Sequence, residues 1–547
     1  MKAMRGADIV ARTLERMGVK RIFTLSGNHI MPVFDALLAT DIDIVHVRQE
    51  AACVHMADAW GRLTGEVGIA LVTGGQGHSN GAAALFTALA AESPMVLLSG
   101  HAGLNELGLG AFQEMAQADI ARPMTKASWT ASSLATLQDD IVKAMKIAGE
   151  GRPGPVHLSL PVDLLEQAVD EGSIAFSGDA AQPDRSVPDA GVIEGLIEQL
   201  RNAQRPLILC GPAACDAEGR AMRAALEQAS RIPAIGMESP RGVNDPSLGS
   251  FGEILSEADL LVLIGKPLDF TLKFGNAPAV SDAARFIVID PDPALVARVS
   301  RAKGERLIFS GIAEAKPMLE ALAEKFGEQA DKMPSQWLGH VREALSYRPP
   351  EWDAARGKDG RLHPVELCRA VDAFLQRHPG GTLVCDGGEI GQWPQAAVRS
   401  ERRLVNGVSG TIGASIPFAI AAKTLTPDRP VVAVLGDGTF GFHMAEFDTA
   451  VRYNLPIIVV VGNDARWNAE YQIQLRNYGK ERARHCELLP SRYDQVAVAL
   501  GGFGALATTP EELAAALDAA HASGKPACIN VMIEGLPAPN IKRVKPS

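Results

Sequence analysis

The sequence lacks an apolar run long enough to cross a membrane. Its longest apolar stretches are strand-length, such as 457–461, whereas a membrane-spanning helix needs about 20 apolar residues. The first residues carry charges scattered through an amphipathic pattern, without the apolar segment and cleavage site of a secretory signal. We therefore expect no membrane partner, no secretion and a cytoplasmic location.

The sequence also lacks an excess of positive charge. Lys and Arg total 53 against 64 Asp and Glu, which gives a formal net charge of -11 at pH 7. Nucleic acids and anionic membranes would repel such a chain, and no basic patch with interleaved aromatic residues offsets the imbalance. We expect neither nucleic acid nor a membrane surface as a partner.

Closely spaced cysteine pairs are missing as well. The seven cysteines are dispersed, and none forms a C-x-x-C motif. An odd, scattered set in a large chain predicts buried thiols in a reducing compartment rather than disulfides or soft-metal sites. The cysteines are Cys53, Cys210, Cys215, Cys368, Cys385, Cys486 and Cys528.

No G-x-G-x-x-G motif follows a predicted strand with an acidic residue about 20 positions later, which excludes a generic dinucleotide-dependent dehydrogenase. What is present is a chain of 547 residues, 47% hydrophobic and 21% charged, the composition of a globular protein. At roughly 150 residues per domain, this length predicts about three domains.

Short apolar strands alternate with helix-length segments along the chain. This pattern predicts the α/β class, with mostly parallel sheets covered by helices on both faces. We predict three doubly wound domains at 1–168, 188–335 and 355–540, joined by polar linkers at 170–191 and 347–364. The predicted strands lie in 21–27, 43–47, 68–75, 94–100, 155–161, 205–214, 232–246, 259–275, 285–293, 381–388, 403–410, 430–438, 456–464 and 527–535.

The segment 431–471 carries the most specific chemistry. It contains an apolar strand, the turn Gly436-Asp437-Gly438, an amphipathic helix, a second apolar strand and then Asn463-Asp464. In a right-handed strand–helix–strand unit both turns emerge at the carboxyl edge of the sheet, so Asp437 and Asp464 should lie close together. Two carboxylates beside a glycine turn favour Mg²⁺ bridging a diphosphate.

This segment resembles the thiamin-diphosphate motif of thiamin-dependent enzymes, and the resemblance extends over essentially the whole chain. It implies Mg²⁺ ligands at Asp437, Asp464 and the carbonyl of Arg466. Asp464 stands where the family has Asn, which leaves open whether Asn463 or Asp464 is the ligand. The chain looks closest to the acetolactate synthase, benzaldehyde lyase and 2-hydroxyacyl-CoA lyase group.

The resemblance also assigns a cofactor cradle in the third domain. The segment 385–393 resembles the diphosphate loop, and Ile412, in a Thr-Ile-Gly context, takes the place of the residue that bends the cofactor. A simple glycine turn and a core isoleucine are the alternatives. The predicted cofactor-binding residues are Gly388, Glu389, Ile390, Thr411, Ile412, Gly436, Asp437, Gly438, Thr439, Trp467 and Asn468.

Three residues of the first domain are candidate catalytic groups. Glu50, in HVRQEAACVHMA, matches the family glutamate that bonds the aminopyrimidine ring, although a carboxylate favoured by a helix start is the simpler interpretation. His29 falls where benzaldehyde lyase has its histidine, and Gln113 lies in an acetolactate-synthase-like GAFQE loop. Either could instead be a capping or surface residue; as site residues they would hydrogen-bond a substrate oxygen.

The remaining assignments are broader. The resemblance implies a small-molecule carbonyl substrate and a homodimer or homotetramer with active sites between subunits. Arg241 and Lys266 could meet the phosphate of FAD, ADP or a CoA adenylate in the central domain. Acetolactate-synthase-like carboligation is the leading function and an aldehyde or 2-hydroxyacyl-CoA lyase the alternative; Ile473 replaces an aromatic residue of the synthases. A non-catalytic thiamin-binding subunit is disfavoured because Glu50 is present.

Overall fold

A computed structural model describes residues 3–174, 176, 188–328 and 335–543, so much of the linker predicted at 170–191 lies outside the described residues. The chain divides into two compact units. One comprises Met1–Asp184, Ile416–Leu425 and Ala445–Leu455, and the other comprises the remainder. Three parallel sheets with flanking helices confirm the predicted α/β class.

The first unit contains a parallel sheet and a small antiparallel pair. The sheet has the order β3-β2-β4-β5-β7-β6, and β1 pairs with β8. Strands β4, β5 and β7 are buried at every residue, as expected for parallel strands covered on both faces. The strands are β1 Ala3–Arg5, β2 Arg21–Thr24, β3 Asp43–His46, β4 Gly68–Val72, β5 Met95–His101, β6 Ala127–Thr130, β7 Pro155–Pro161 and β8 Ala168–Asp170.

The helices of this sequence segment follow the strands that they cover. Among them, α3 ends at Gly65, whose φ of 74° is left-handed, and α7 begins at Ser133, whose side chain accepts the Thr136 N–H. The helices are α1 Gly6–Arg16, α2 Met31–Leu37, α3 Glu50–Thr64, α4 Gln76–Ala82, α5 Leu85–Ala90, α6 Gln117–Ala121, α7 Leu134–Gly149 and α8 Val162–Glu166.

The second unit begins with a five-stranded parallel sheet of order β10-β9-β11-β12-β13. Its strands are β9 Pro206–Cys210, β10 Ala234–Gly236, β11 Leu260–Ile264, β12 Arg285–Ile289 and β13 Leu307–Gly311. Its helices are α9 Ala190–Asn202, α10 Ala217–Ser230, α11 Phe251–Glu257, α12 Pro293–Lys303, α13 Ala315–Gly327, α14 Ser335–Ser346 and α15 Glu351–Ala354.

The third sheet has the order β15-β14-β16-β17-β19-β18 and follows α16 Pro364–Arg377. Its strands are β14 Thr382–Cys385, β15 Arg402–Val405, β16 Val431–Gly436, β17 Ile458–Asn463, β18 Phe503–Ala507 and β19 Ala527–Met532. The helices after β14 are α17 Gln392–Ala397, α18 Ser415–Leu425, α19 Asp437–His443, α20 Glu446–Arg452, α21 Asn468–Tyr478, α22 Tyr493–Ala499 and α23 Pro510–Ser523.

The first and third sheets share one strand order when their strands are counted from β2 and from β14. In both sheets the order reverses between the first and third strands, which are β2 and β4 in one sheet and β14 and β16 in the other. Crevices at such reversals, beyond the carboxyl ends of the strands, are where open α/β sheets bind ligands. Some of the predicted site residues follow these strands: His29 follows β2, Gly388 follows β14 and Asp437 follows β16.

Two helices of the third sequence segment belong to the first unit. Helix α18 places the Phe418 ring 5.9 Å from the His55 ring, in an edge-on arrangement, and 5.0 Å from the Arg62 guanidinium. Helix α20 also joins this unit. The first unit is therefore completed by residues that come more than 200 positions after its sheet ends.

All seven cysteines are free and buried, as predicted from their spacing. Of the helices that the structure describes, none has both the length and the apolar character to cross a membrane.

Candidate active site

Glu50 is the first residue of α3 and lies just beyond the end of β3. The Gln49 side chain accepts the Ala51 N–H at 2.7 Å and caps the helix. The Glu50 Oε2 accepts a hydrogen bond from Asn80 Nδ2 at 3.1 Å. A Cβ at Gly77 would lie 3.5 Å from Glu50 Oε1, an ordinary contact, and 2.6 Å from Thr73 Cγ2, so packing against Thr73 requires the glycine. The half-buried Glu50 is a carboxylate in a fixed place with an open side.

His29 and Gln113 lie at the same edge of the first sheet. His29 is 3% exposed, its Nδ1 lies 3.3 Å from Thr73 Oγ1, and its ring stacks on Phe112 at 5.9 Å. Burial lowers the His29 pKa, which favours the neutral imidazole. Gln113 has a left-handed φ of 56°, and a Cβ at Gly75 would lie 2.6 Å from its Cβ.

Gln117 links the strand ends at this edge of the first sheet by hydrogen bonds. It was not among the site residues predicted from the sequence. It is fully buried; its Oε1 accepts the Gly75 N–H at 2.8 Å. Its Nε2 donates to the Gly100 carbonyl at 3.0 Å and to Ser159 Oγ at 2.9 Å. Gln117 thus joins the ends of β4, β5 and β7 behind His29 and Gln113. Its sequence signal, a glutamine four residues after Gln113, is weak.

In the second unit, Asp437 and Asp464 occupy adjoining strand ends. Asp437 begins α19 directly after β16, Asp464 follows β17, and Gly436 pairs with Gly462 across the two strands. Burial raises the pKa of Asp437 to about 6, and burial together with the Asp437 charge raises that of Asp464 to about 7. The Arg466 N–H donates to Asp437 Oδ2 at 3.1 Å. Two neighbouring buried carboxylates with raised pKa values are a candidate site for a cation, whose charge would offset their desolvation.

The arrangement favours Asp464 over Asn463 as a metal ligand. The Asn463 amide is fully buried and donates to the Ser491 carbonyl and to Asn530 Oδ1, both at 3.1 Å, while its own oxygen accepts the Ala465 N–H. Its hydrogen-bonding capacity is thus used inside the protein. Asp464 has an 8% exposed side chain beside Asp437.

The described residues fit a cation that shares its ligands with a diphosphate. Within the described ranges no cluster of three or more His, Cys, Asp or Glu residues is present, so the protein offers two carboxylates here. Among the described residues, no backbone N–H group donates a hydrogen bond to the carbonyl oxygen of Arg466. Diphosphate oxygens and water would supply the other ligands of an octahedral Mg²⁺.

The glycines around this pair leave the backbone open because side chains would collide there. A Cβ at Gly388 would lie 2.5 Å from the Ala469 Cβ, and one at Gly438 would lie 2.7 Å from the Trp467 ring. Gly387 has a left-handed φ of 105°, and its Cβ would meet the Gly436 nitrogen and Thr439 Oγ1 at 3.2 Å. Such a cradle admits a phosphate close to the main chain.

Asp386 organises the other side of the cradle and was missed from the sequence. Its buried carboxylate accepts the N–H groups of Gly387 at 2.6 Å, Gly413 at 2.9 Å and Ser415 at 3.0 Å. Burial raises its pKa to about 6. Asp386 thereby ties the end of β14 to the loop that carries Thr411 and the half-buried Ile412.

A residue of the central sequence segment holds the predicted diphosphate loop in place. Arg241 Nη2 donates to the Gly388 carbonyl at 2.9 Å and lies 3.5 Å from Glu389 Oε2, which also accepts the Ala538 N–H. Ile390 is 8% exposed and contacts the Gly436–Gly462 pair. The role of Glu389 visible here is to hold the loop.

Lys266 is engaged inside the central segment rather than extended toward a phosphate. It is 3% exposed, and its Nζ donates to Thr271 Oγ1 at 2.8 Å and to the Pro267 carbonyl at 3.0 Å. Arg241 and Lys266 were both predicted as possible partners of a nucleotide phosphate. In the structure both side chains bond to other groups of the protein instead.

Trp467 and Asn468 lie beside the metal pair at the start of α21. The Trp467 ring packs over Gly438 and meets Phe442 edge-on at 6.3 Å, and Asn468 Nδ2 donates to the Leu536 carbonyl at 2.9 Å. Ile473, farther along α21, is 44% exposed. Trp467 is thus placed to border the cradle.

Three family models match the chain. The model described as "Thiamine pyrophosphate enzyme, N-terminal TPP binding domain" matches residues 4–120, the corresponding central domain matches 193–322, and the C-terminal TPP binding domain matches 386–531. The first match contains Glu50, and the last contains Asp437 and Asp464.

Curated relatives resemble the chain over nearly its whole length. A "Probable acetolactate synthase" of Mycobacterium bovis is 30% identical over 549 residues, covering 97% of this chain and 96% of the relative. "2-hydroxyacyl-CoA lyase 2" of Homo sapiens is 30% identical over 560 residues, covering 93% and 86%. "2-hydroxyacyl-CoA lyase" of Oryza sativa subsp. japonica is 29% identical, covering 97% and 95%. With three successive domain models and full-length relatives, this chain belongs to the thiamine pyrophosphate enzyme family.

Proposed function

We propose that this enzyme uses Mg²⁺ with thiamin diphosphate to form or cleave a carbon–carbon bond next to a carbonyl group. The observation that carries the metal is the buried pair Asp437 and Asp464 beside the glycine cradle. Asp437, Asp464 and the Arg466 carbonyl would hold the cation, and the loop at Gly388 would approach the diphosphate. Thiamin diphosphate, when bound, supplies a nucleophilic carbon and an electron sink.

Glu50 has the role of moving a proton in this proposal. Its carboxylate would hold a proton at the ring nitrogen of the aminopyrimidine, and would so favour the cofactor form whose amine is basic enough for the C2 proton. His29 and Gln113 would donate hydrogen bonds to the oxygen of the reacting carbonyl, where charge develops.

The test is hydrogen–deuterium exchange at C2 of bound thiamin diphosphate, followed by proton NMR after acid quench. Wild type should accelerate the exchange, and Glu50→Gln should slow it by at least about 100-fold while leaving cofactor binding intact. Asp437→Ala should instead abolish binding in the presence of Mg²⁺. Unchanged exchange in Glu50→Gln would overturn the assignment of Glu50.

Carboligation of two 2-oxoacids is the first choice for the overall reaction, supported by the GAFQE loop at Gln113 and the acetolactate synthase relative. Cleavage of a 2-hydroxyacyl-CoA, or of a benzaldehyde-type adduct, is the alternative, supported by the lyase relatives and by Ile473 in place of an aromatic residue. Pyruvate assayed for CO₂ and acetolactate, against 2-hydroxyacyl-CoA assayed for formyl-CoA, separates the two.

We further propose a homodimer or homotetramer in which Glu50 of one subunit serves the cofactor held by another. The three-domain family membership supports this arrangement, and mass photometry would measure the assembly. For the central segment we keep FAD or an adenine nucleotide as alternatives, although Arg241 and Lys266 have other partners. Absorbance at 450 nm and mass spectrometry of the denatured enzyme would identify a bound nucleotide.

A further inference from the structure

The turn that carries Glu50 is held by a helix that comes almost 400 residues later in the chain. Residues 46–49 connect β3 to α3, and they lie against α20 and the tyrosine that follows it, all within the first unit. We infer that Glu446, the first residue of α20, is a positioning residue that sets Glu50 for proton transfer to the cofactor. This inference rests on the proposed role of Glu50.

The backbone groups of the turn are satisfied mainly by side chains from this distant segment. The His46 N–H donates to the Tyr453 hydroxyl at 2.8 Å, and the His46 carbonyl accepts from Arg452 Nη2 at 2.6 Å. The Arg48 N–H donates to both oxygens of Glu446, at 3.1 and 3.3 Å. Backbone groups that leave a strand need such partners, and here α20 provides them.

Glu446 is built to act as a fixed acceptor. Its side chain is 1% exposed, and its Oε2 also accepts the Thr449 hydroxyl at 2.6 Å, which orients the carboxylate. Burial raises the Glu446 pKa, while the bonds from Thr449 and Arg48 lower it. A buried carboxylate carries a desolvation cost, so its placement against the backbone N–H groups of Arg48 and Gln49 points to a specific need at that spot.

The need is the position of Glu50, two residues beyond Arg48. The Glu50 carboxylate takes a hydrogen bond from Asn80, but its main chain begins α3, so the turn at 46–49 determines where the side chain starts. Proton transfer tolerates little misplacement, and a shift of about 1 Å can reduce a rate by roughly 100-fold. The contacts with helix α20 therefore fix the position of the turn at 46–49.

The experiment compares Glu446→Gln with Asp139→Asn. Glutamine keeps the volume of Glu446 but has one acceptor oxygen in place of two, so at least one of the groups that donate to Glu446 would face its amide NH₂. Asp139→Asn removes a charge from the exposed surface of α7 in the same unit. C2 exchange is measured at saturating Mg²⁺ and thiamin diphosphate, and backbone deuterium uptake of 46–52 is measured in the apo-enzyme.

We expect Glu446→Gln to slow C2 exchange of the bound cofactor by at least about tenfold and to speed deuterium uptake at 46–52. Asp139→Asn should change both by less than about twofold. In a Glu50→Gln background, Glu446→Gln should give no further loss, because the two residues act in series. A purely structural Glu446 would lower the stability of the protein and leave the exchange rate of the bound cofactor unchanged, which would overturn the inference.

A replacement variant and a check on Glu50 make every outcome of the experiment interpretable. If Glu446→Gln does not fold, Thr449→Val, which removes the donor that orients the carboxylate, replaces it and should slow exchange by several-fold. If wild type fails to accelerate C2 exchange, or if Glu50→Gln exchanges like wild type, the proposed role of Glu50 itself is wrong. If Glu50→Gln loses exchange while Glu446→Gln and Thr449→Val keep it, only the positioning role is wrong.

Discussion

At the scale of single residues, this chain has Asp464 at a position where its resemblance to thiamin-dependent enzymes predicts asparagine. Burial raises the pKa of both carboxylates at these adjoining strand ends, and repulsion by the Asp437 charge raises the pKa of Asp464 further. A divalent cation would relieve this repulsion. The protein without metal therefore carries a cost that an asparagine at 464 would not impose.

Asp464→Asn should make the metal-free protein more stable, by on the order of 1–3 kcal/mol, because it removes one of two like buried charges. The same change should weaken Mg²⁺ binding in the presence of thiamin diphosphate, by about tenfold or more. Thermal unfolding with and without Mg²⁺ measures the first effect, and a calorimetric Mg²⁺ titration measures the second. Asn463→Asp, at the engaged amide, should destabilise the fold instead; stronger Mg²⁺ binding by Asp464→Asn would contradict this account of the pair.

At the scale of elements, the loop bearing Thr411 and Ile412 depends on Asp386. Asp386→Ala should lower the free energy of unfolding by at least about 2 kcal/mol, because the Gly387, Gly413 and Ser415 N–H groups lose their acceptor. Affinity for thiamin diphosphate should also fall, since Ile412 is no longer held in place. Urea unfolding and fluorescence titration with the cofactor provide the measurements.

The matched control for Asp386→Ala is Asp518→Ala. Asp518 is an exposed carboxylate paired with Arg377 on the surface, so its loss should cost less than about 1 kcal/mol. Equal losses in the two variants would show that the three backbone hydrogen bonds of Asp386 do not hold the loop.

The strands inside the parallel sheets were predictable from the sequence, and the missed ones lie at edges. β6, β13 and β18 were not predicted, and each is the last strand at one edge of its parallel sheet; β1 and β8, which form the two-stranded pair, were missed as well. None of the three is buried along its whole length, so their sequences lack the continuous apolar run that marked the central strands. Local sequence patterns identify strands that are covered on both faces far better than edges.

The site residues divide in the same way. Glu50, Asp437 and Asp464 follow strands in recognisable motifs, so the sequence located them. Their supports could not be found in that way, because Gln117 and Glu446 act on backbone groups far away along the chain. The bond from Arg48 to Glu446 spans 398 residues, and no local pattern reports it.

At the scale of the whole molecule, two buried histidines should contribute a loss of stability as the pH falls from about 6.5 to about 4, opposite in sign to the contribution of the buried aspartates with raised pKa. His78 and His157 are buried with ring centroids 4.5 Å apart, and burial lowers the pKa of both, that of His78 to about 4. In this pH range the two histidines bind protons in the unfolded chain but not in the folded chain. Below pH 4 this difference amounts to about 3 kcal/mol for His78 alone.

Urea unfolding at several pH values tests this expectation. His78→Asn should remove the His78 contribution, so that the free energy of unfolding of the variant relative to wild type rises as the pH falls from 6.5 to 4. His485→Asn is the control, because His485 is exposed and its φ of 65° suits asparagine. An unchanged slope in His78→Asn would mean that His78 is not the group whose protonation is linked to unfolding.

Helix α20 also bears on how this chain can change in evolution. Since residues 445–455 complete the unit that contains Glu50, the N-terminal segment is not an independent module that recombination could exchange between relatives. A chimera that imports a foreign N-terminal segment would pair its turn at 46–49 with a helix selected for another partner. Substitutions at 46–49 and at 446–453 should therefore occur together across related sequences, as correlated changes between distant positions of one gene.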